Sequence, residues 1–283
     1  GLSSGVFYRV AYAADVEELV ALATVSARSG GIYVTHIRDE MAQILPALME
    51  AAGTAKRAGL PLVLSHHKCA GPANWGRTRE TLPLIDDLAR GQPIALDVYP
   101  YTAGSTVLRE DLVDGVIDVL ITGSEPHPQM AGRWIADIAK EWGVDQKEAA
   151  RRLQPGGACY FQMREDDVER VIAHPLSMIG SDGLPHDERP HPRLWGAFPR
   201  VLACYWRDRK PHGQYRKAVR ERSRCLGHIC NHLDRNSQPH GLRQPLQAFG
   251  IIQGNEAWTG PAQRQPGPER KFSADAGRIA HCQ

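Results

Sequence analysis

Four short apolar runs in this chain each end in side chains that could do chemistry. The run at 31–35 leads to His36, 61–65 to His66-His67-Lys68, 93–96 to Asp97 and Tyr99, and 176–181 to Asp182. Two imidazoles, an ammonium, a phenol and a carboxylate at one rim suit metal-assisted hydrolysis. Neutral imidazole and carboxylate are ligands suited to zinc, and catalytic zinc keeps three protein ligands and an open position for water. One histidine at a strand end is most often a hydrogen-bonded structural residue. Two on consecutive strands, with an aspartate on a later one, favour a site. Side chains alternate along a strand, so one of His66 and His67 faces inward; we assign His66. Lys68 then points the same way and Cys69 the other. Arg193, in His191-Pro192-Arg193-Leu194-Trp195-Gly196, is suited to clamp a carboxylate bidentately. No Gly-x-Gly-x-x-Gly or Gly-x4-Gly-Lys-Ser/Thr pattern follows any of the runs, which argues against dinucleotide and nucleoside-triphosphate binding.

These residues lie far apart in sequence, so the elements between them must bring them together. Asp15-Val16-Glu17-Glu18 opens a helix with an acidic first turn, which Gly30-Gly31 stops. Further helical patterns span about 41–57 and 78–89. Strands separated by helices imply right-handed βαβ units and a parallel sheet, an α/β fold. Both a barrel and an open doubly wound sheet place the carboxyl ends of their strands on one face. The position of the polar residues favours the barrel. The stretch 103–170 breaks the rhythm and reads as an insertion, with helical patterns at about 112–120 and 130–142.

Residues 1–206 hold 20 Lys and Arg against 26 Asp and Glu, whereas 207–283 hold 14 against 6. The formal net charge of +2 thus joins an acidic portion to a basic one. No apolar run approaches the roughly 18–20 residues of a membrane-spanning helix. No basic start followed by a long apolar run marks a signal peptide. The first residue is Gly, so the chain is expected to be processed, trimmed or a fragment. Six scattered cysteines do not make a disulfide framework, and a reducing, cytoplasmic compartment is expected.

Read together, several segments resemble the D-aminoacylases, or N-acyl-D-amino-acid deacylases, of the amidohydrolase superfamily. They are Gly1-Leu2-Ser3-Ser4-Gly5, the run from Gly30 to Arg38, Ser65-His66-His67-Lys68, Asn74-Trp75-Gly76, the run from Asp97 to Ala103, Ile179-Gly180-Ser181-Asp182-Gly183, and the run from His191 to Arg200. The resemblance covers residues 1 to about 210 and implies part of a TIM-type (β/α)8 metal-dependent barrel, about its second half. It implies His36 and His66 as zinc ligands and Asp182 as the catalytic carboxylate. Lys68, Tyr99, Ser105 and Arg193 would hold the substrate's carboxylate and acyl group. The implied reaction is attack of a zinc-activated water on the amide of an N-acyl-D-amino acid, with Asp182 moving the proton from water to leaving amine and Tyr99 donating to the oxyanion. The family's first-strand His-x-His pair and its zinc-ligating cysteine would lie upstream of Gly1, and half a barrel would leave open sheet edges. This chain is therefore expected to hold zinc poorly and turn over little substrate.

After Asp208-Arg209-Lys210 the resemblance stops. Residues 211–283 are rich in Arg, Gln, His, Pro and Gly with weak periodicity, and read as a poorly ordered basic tail produced by out-of-frame translation. Cys225, His228, Cys230 and His232 offer four ligands within eight residues, a spacing unlike the separated pairs of ordinary zinc sites. The basic cluster from Arg216 to Arg224 lacks a nucleic-acid-binding module and interleaved aromatics, so a solvated stretch is the expectation. The alternatives to deacylation are a non-catalytic remnant and another zinc amidohydrolase acting on cyclic amides or dipeptides.

Overall fold

A computed structural model describes residues 1–208, so the ligand cluster at 225–232 and the basic stretch at 216–224 lie outside the described residues. Asp15 opens the first helix as its sequence predicts: its Oδ1 accepts the Glu18 N–H at 2.8 Å, and α1 runs Val16–Ala27. Such a cap is worth about 1 kcal/mol. The helix after it, α2 (Ile44–Ala58), buries Ile44, Ala47, Leu48, Ala51, Ala52 and Ala55, a stripe at helical spacing. With α3 (Thr78–Ala89) and α6 (Glu165–Ala173) it shares one hydrophobic core with the strands.

Those strands form a five-stranded, all-parallel sheet: β1 (Leu2–Gly5), β2 (Tyr33–His36), β3 (Leu62–Leu64), β4 (Ile94–Val98) and β8 (Ser177–Ile179), in that spatial order. A doubly wound sheet reverses its strand order at a switch point. Here the order follows the sequence throughout, so the helices between strands carry the chain in one direction. Leu62 and Leu96 are fully buried, each contributing about 1.5–3 kcal/mol by leaving water. The strand β1 carries no apolar run of its own; it is defined by its ladder to β2, from Leu2 opposite Tyr33 to Gly5 opposite His36.

Between β4 and β8 the chain builds a second sheet. Its strands β5 (Gly104–Val107), β6 (Val119–Ser124) and β7 (Gly156–Tyr160) pair antiparallel in the order β5-β7-β6. Helices α4 (Ile135–Trp142) and α5 (Gln146–Leu153) complete it around its own core, in which Ile121, Ile135, Ile138 and Leu153 are almost wholly buried. The helix expected over 112–120 does not form. Asp114 Oδ1 accepts the N–H of Val116 at 2.8 Å and of Ile117 at 3.3 Å, and Gly115 takes φ +76. A turn therefore replaces the helix, and Val119 begins a strand. The helix expected over 130–142 is confined to α4: Met130 ends a 3-10 turn, Pro128–Met130, and 131–134 lead into the helix through a turn and an isolated bridge from Trp134 to Leu120. After β8, α7 (Arg193–Arg200) continues into a π-helical segment, Val201–Asp208. No helix among the described residues is long and apolar enough to cross a membrane.

Candidate active site

Because every strand of the large sheet runs the same way, their carboxyl ends share one edge. His36 closes β2, His66 and Lys68 follow β3, Tyr99 follows β4, and Asp182 follows β8. Ser105 comes from β5 and Arg193 from the first turn of α7. The seven residues that the resemblance assigns to the site line one pocket of about 430 Å3 including the solvent at its mouth.

Two backbone positions in this pocket are strained. His66 (φ 39) and Asp182 (φ 47) are the non-glycine residues with positive φ among the described residues. Such conformations cost of order 1–3 kcal/mol and persist where surroundings over-determine them. Asp97 supplies part of that constraint: its Oδ1 accepts the His66 N–H and its backbone oxygen accepts the His67 N–H, each at 2.8 Å. Burial raises the Asp97 carboxyl above its usual value. A Cβ at residue 180 would sit 2.9 Å from Asp97 Oδ1, so glycine there keeps this carboxylate in place.

His67 faces away, with its Nε2 2.9 Å from the Thr81 hydroxyl on α3, and burial pushes its pKa down to about 4. Cys69 is likewise buried in the core. The alternation read from the sequence therefore holds across this loop.

The sequence reading did not select Glu40, which the fold places at the centre of the cluster. It is buried, with Oε1 2.6 Å from Lys68 Nζ and 3.1 Å from His66 Nδ1, and Oε2 3.5 Å from His36 Nε2. Burial alone would raise this carboxyl, but the charges of Lys68, His36 and His66 outweigh it and hold Glu40 well below the usual range. Burial would lower Lys68, and Glu40 instead keeps it above its ordinary value. Burial lowers His36. Ligand atoms of His36, Glu40 and His66 lie within 4.8 Å of one another, a donor set suited to zinc. The one signal for Glu40 was its place four residues after His36, and no periodic element runs through 37–43 to give that spacing a direction. Two aromatic residues after β1 were also missed: Phe7 stacks on His36 with ring centroids 4.8 Å apart, and Tyr8 meets it edge-on at 5.2 Å.

On the other side, Arg193 is 1% exposed. Its Nη1 lies 2.7 Å from Asp182 Oδ2, its Nη2 donates to the Ser105 carbonyl at 2.8 Å, and its guanidinium lies 4.5 Å from the Tyr99 ring centre. The Tyr99 hydroxyl, the Ser105 hydroxyl and Arg193 Nε are buried without a hydrogen-bond partner among the described residues. Buried polar atoms are nearly always paired. Three left open around one pocket mark a place for a polar ligand.

No protein-family model matches the chain. A D-aminoacylase from Alcaligenes xylosoxydans xylosoxydans is 49% identical to it over 208 residues, which are 74% of this chain and 43% of that protein. The N-acyl-D-glutamate deacylase of the same organism is 47% identical over 209 residues, again 74% and 43%. Over this stretch the chain is similar to the D-aminoacylases. Among solved structures, an N-acyl-D-glutamate deacylase from Bordetella bronchiseptica, complexed with zinc and a phosphonate mimic of the tetrahedral intermediate, superposes with a TM-score of 0.74 at 44% identity, covering 80% of this chain and 48% of that one. A D-aminoacylase described as defining a novel subset of amidohydrolases gives 0.76 at 44%, covering 83% and 48%. The chain spans about two fifths of the length of the curated D-aminoacylase-family relatives it matches.

Proposed function

We propose that these residues form part of a zinc-dependent amidohydrolase that cleaves N-acyl-D-amino acids to a carboxylic acid and a D-amino acid. The observation that carries this reading is the convergence of His36, His66, Lys68, Tyr99, Ser105, Asp182 and Arg193 on one pocket with several polar atoms left unpaired. The sequential strand order supports a fold that is part of a TIM-type barrel, interrupted at 103–170, with the stretch from 211 onward outside it. The similarity to the D-aminoacylases supports the amide as the bond cleaved and the D configuration of the substrate.

His36 and His66 would hold the zinc, and their donor chemistry fits it. Zinc, when bound, would polarise the scissile carbonyl and make a water nucleophilic at neutral pH. Asp182 would accept the water's proton and return it to the departing amine. The Tyr99 hydroxyl, unpaired and buried, would donate to the oxygen on which charge develops. Lys68, Ser105 and Arg193 would hold the substrate's carboxylate and acyl group. The proposed setting is cytoplasmic.

The test is a panel of N-acyl-D-amino acids, N-acyl-L-amino acids and cyclic amides offered to a metal-loaded complete chain carrying these residues. Release of amine from the D substrates, lost on chelation, is expected. Turnover confined to cyclic amides or L substrates would overturn the reading.

A further inference from the structure

We infer that Glu40 is a positioning residue of the metal site: it orients His36 and His66 through the ring nitrogens that do not bind metal. The inference rests on the zinc reading above and assigns a role to a residue outside its ligand and substrate set.

The geometry sets one carboxylate between two imidazoles. Oε1 is in hydrogen-bond range of His66 Nδ1 at 3.1 Å, and Oε2 faces His36 Nε2 at 3.5 Å, an ion-pair distance that a small ring rotation would turn into a hydrogen bond. Metal-binding histidines commonly donate their second ring N–H to a carboxylate, which fixes the tautomer and the ring orientation. If Glu40 takes His66 Nδ1 and His36 Nε2, the nitrogens left to hold a metal would be His66 Nε2 and His36 Nδ1. The rings already stand at 73° with centroids 4.3 Å apart, an arrangement that independent rotation would lose.

Direct ligation by Glu40 is the competing role, and Lys68 argues against it. The ammonium donates to Oε1 at 2.6 Å and also to the His66 carbonyl at 2.9 Å. A metal ion on the same carboxylate would therefore share it with a fixed cation. Lys68 Nζ is also 2.7 Å from His66 Nδ1, so ammonium and carboxylate compete for that nitrogen. The Nδ1–H tautomer, donating to Glu40, leaves a lone pair on Nε2 for a metal. The positioning role requires that tautomer, in which Lys68 turns its protons to Glu40 Oε1 and the His66 carbonyl, while the charge of Glu40 keeps the buried ammonium neutralised.

The experiment is zinc titration of the full 283-residue chain against a chromophoric chelator, with thermal melting of the metal-free protein alongside. Weak binding suffices, because the result is a ratio. Glu40→Gln is expected to bind zinc about 10- to 100-fold more weakly than wild type. X-ray absorption at the zinc edge should show an unchanged number of imidazole ligands. Since Glu40→Gln leaves Lys68 buried and unpaired, Glu40→Gln with Lys68→Met removes both charges, and should melt near wild type while keeping the zinc deficit. Affinity within twofold of wild type in both variants overturns the inference, as does loss of an oxygen ligand in Glu40→Gln, which would make Glu40 a direct ligand. His36→Ala with His66→Ala separates the two readings: it should abolish binding. If it does not, or if wild type takes up no zinc, the zinc reading falls and this one with it.

Discussion

On the parallel sheet, His36, His66, Tyr99 and Asp182 reach the pocket from the ends of four strands; the inserted antiparallel sheet contributes Ser105 from within β5, beside pocket-lining Gly104, Thr106 and Tyr160. The difference is one of direction. Parallel strands bring like ends to one rim, so chemistry accumulates there, whereas antiparallel strands alternate their ends and offer side chains from one face. The strain is divided in the same way: both positive-φ non-glycine residues follow strands of the parallel sheet, and none of the described residues of the inserted sheet shares it. The two sheets also have separate hydrophobic cores. They are tied across the loop after β8, where Asp187 Oδ2 accepts the Thr122 hydroxyl at 2.7 Å and the Arg189 N–H donates to the Thr122 carbonyl at 2.9 Å.

The largest expected effect lies on the parallel side. In a metal-loaded complete chain that carries out the proposed reaction, Asp182→Asn should lower its rate by about 10²- to 10⁴-fold, while Ser105→Ala, on the inserted side, should act mainly on KM. Steady-state kinetics with an N-acyl-D-amino acid checks the pair, and a larger kcat loss in Ser105→Ala would break the contrast.

Next come the cores. Leu96→Ala in β4 and Ile138→Ala in α4 each remove a wholly buried side chain and should each cost about 2–5 kcal/mol in denaturant unfolding. The comparison sharpens in hydrogen exchange. Leu96→Ala should deprotect β2, β3 and β4 together, whereas Ile138→Ala should loosen β6 and β7 first and leave β3 protected. Equal loss across both sheets would show that they unfold as one.

Thr122→Val removes the hydroxyl that Asp187 accepts and should cost about 1 kcal/mol, read as a drop in melting temperature with β3 exchange unchanged. The remaining effect is one of pH. His191 is pushed down to about 3 by burial and then by Arg193, so the folded state resists its protonation while the unfolded state accepts it. Unfolded chains then bind more protons below the ordinary histidine value of about 6.5, and stability contributed by His191 declines as pH falls from there toward 3. His191 Nδ1 accepts the Arg193 N–H at 2.9 Å, and His191→Asn offers an oxygen in that role. This variant should flatten the acid loss of melting temperature between pH 6.5 and 4; an unchanged slope assigns that loss to other groups.

Where local signals and tertiary context agree, the sequence was legible. The helix from Asp15 forms behind its cap, and those through the Ile44–Leu48 stripe and over 78–89 form on their apolar spacing, the former starting at Ile44 rather than about 41, because each signal is contained within its own element. The insertion was harder to read. Leu112, Val113, Val116 and Ile117 mimic a helical stripe, but Asp114 and Gly115 form a turn, a choice made by two residues against the apolar period. Likewise, Leu2-Ser3-Ser4-Gly5 is a strand through its neighbour, with no apolar run of its own.

Residue type and position along each strand determined by themselves which side chains could serve a metal-assisted hydrolysis, since strand alternation and parallel direction follow from backbone geometry. That is why His66 and Lys68 could be separated from His67 and Cys69 before any coordinates. Tertiary structure decided what stands beside them. Glu40 leaves an irregular loop and is drawn inward by the charge of Lys68 and two imidazoles, while Arg193 crosses from α7 to Asp182 and Ser105. Contacts of this kind carry no period in the sequence, because they depend on charges that become neighbours after the sheets have packed and water has left.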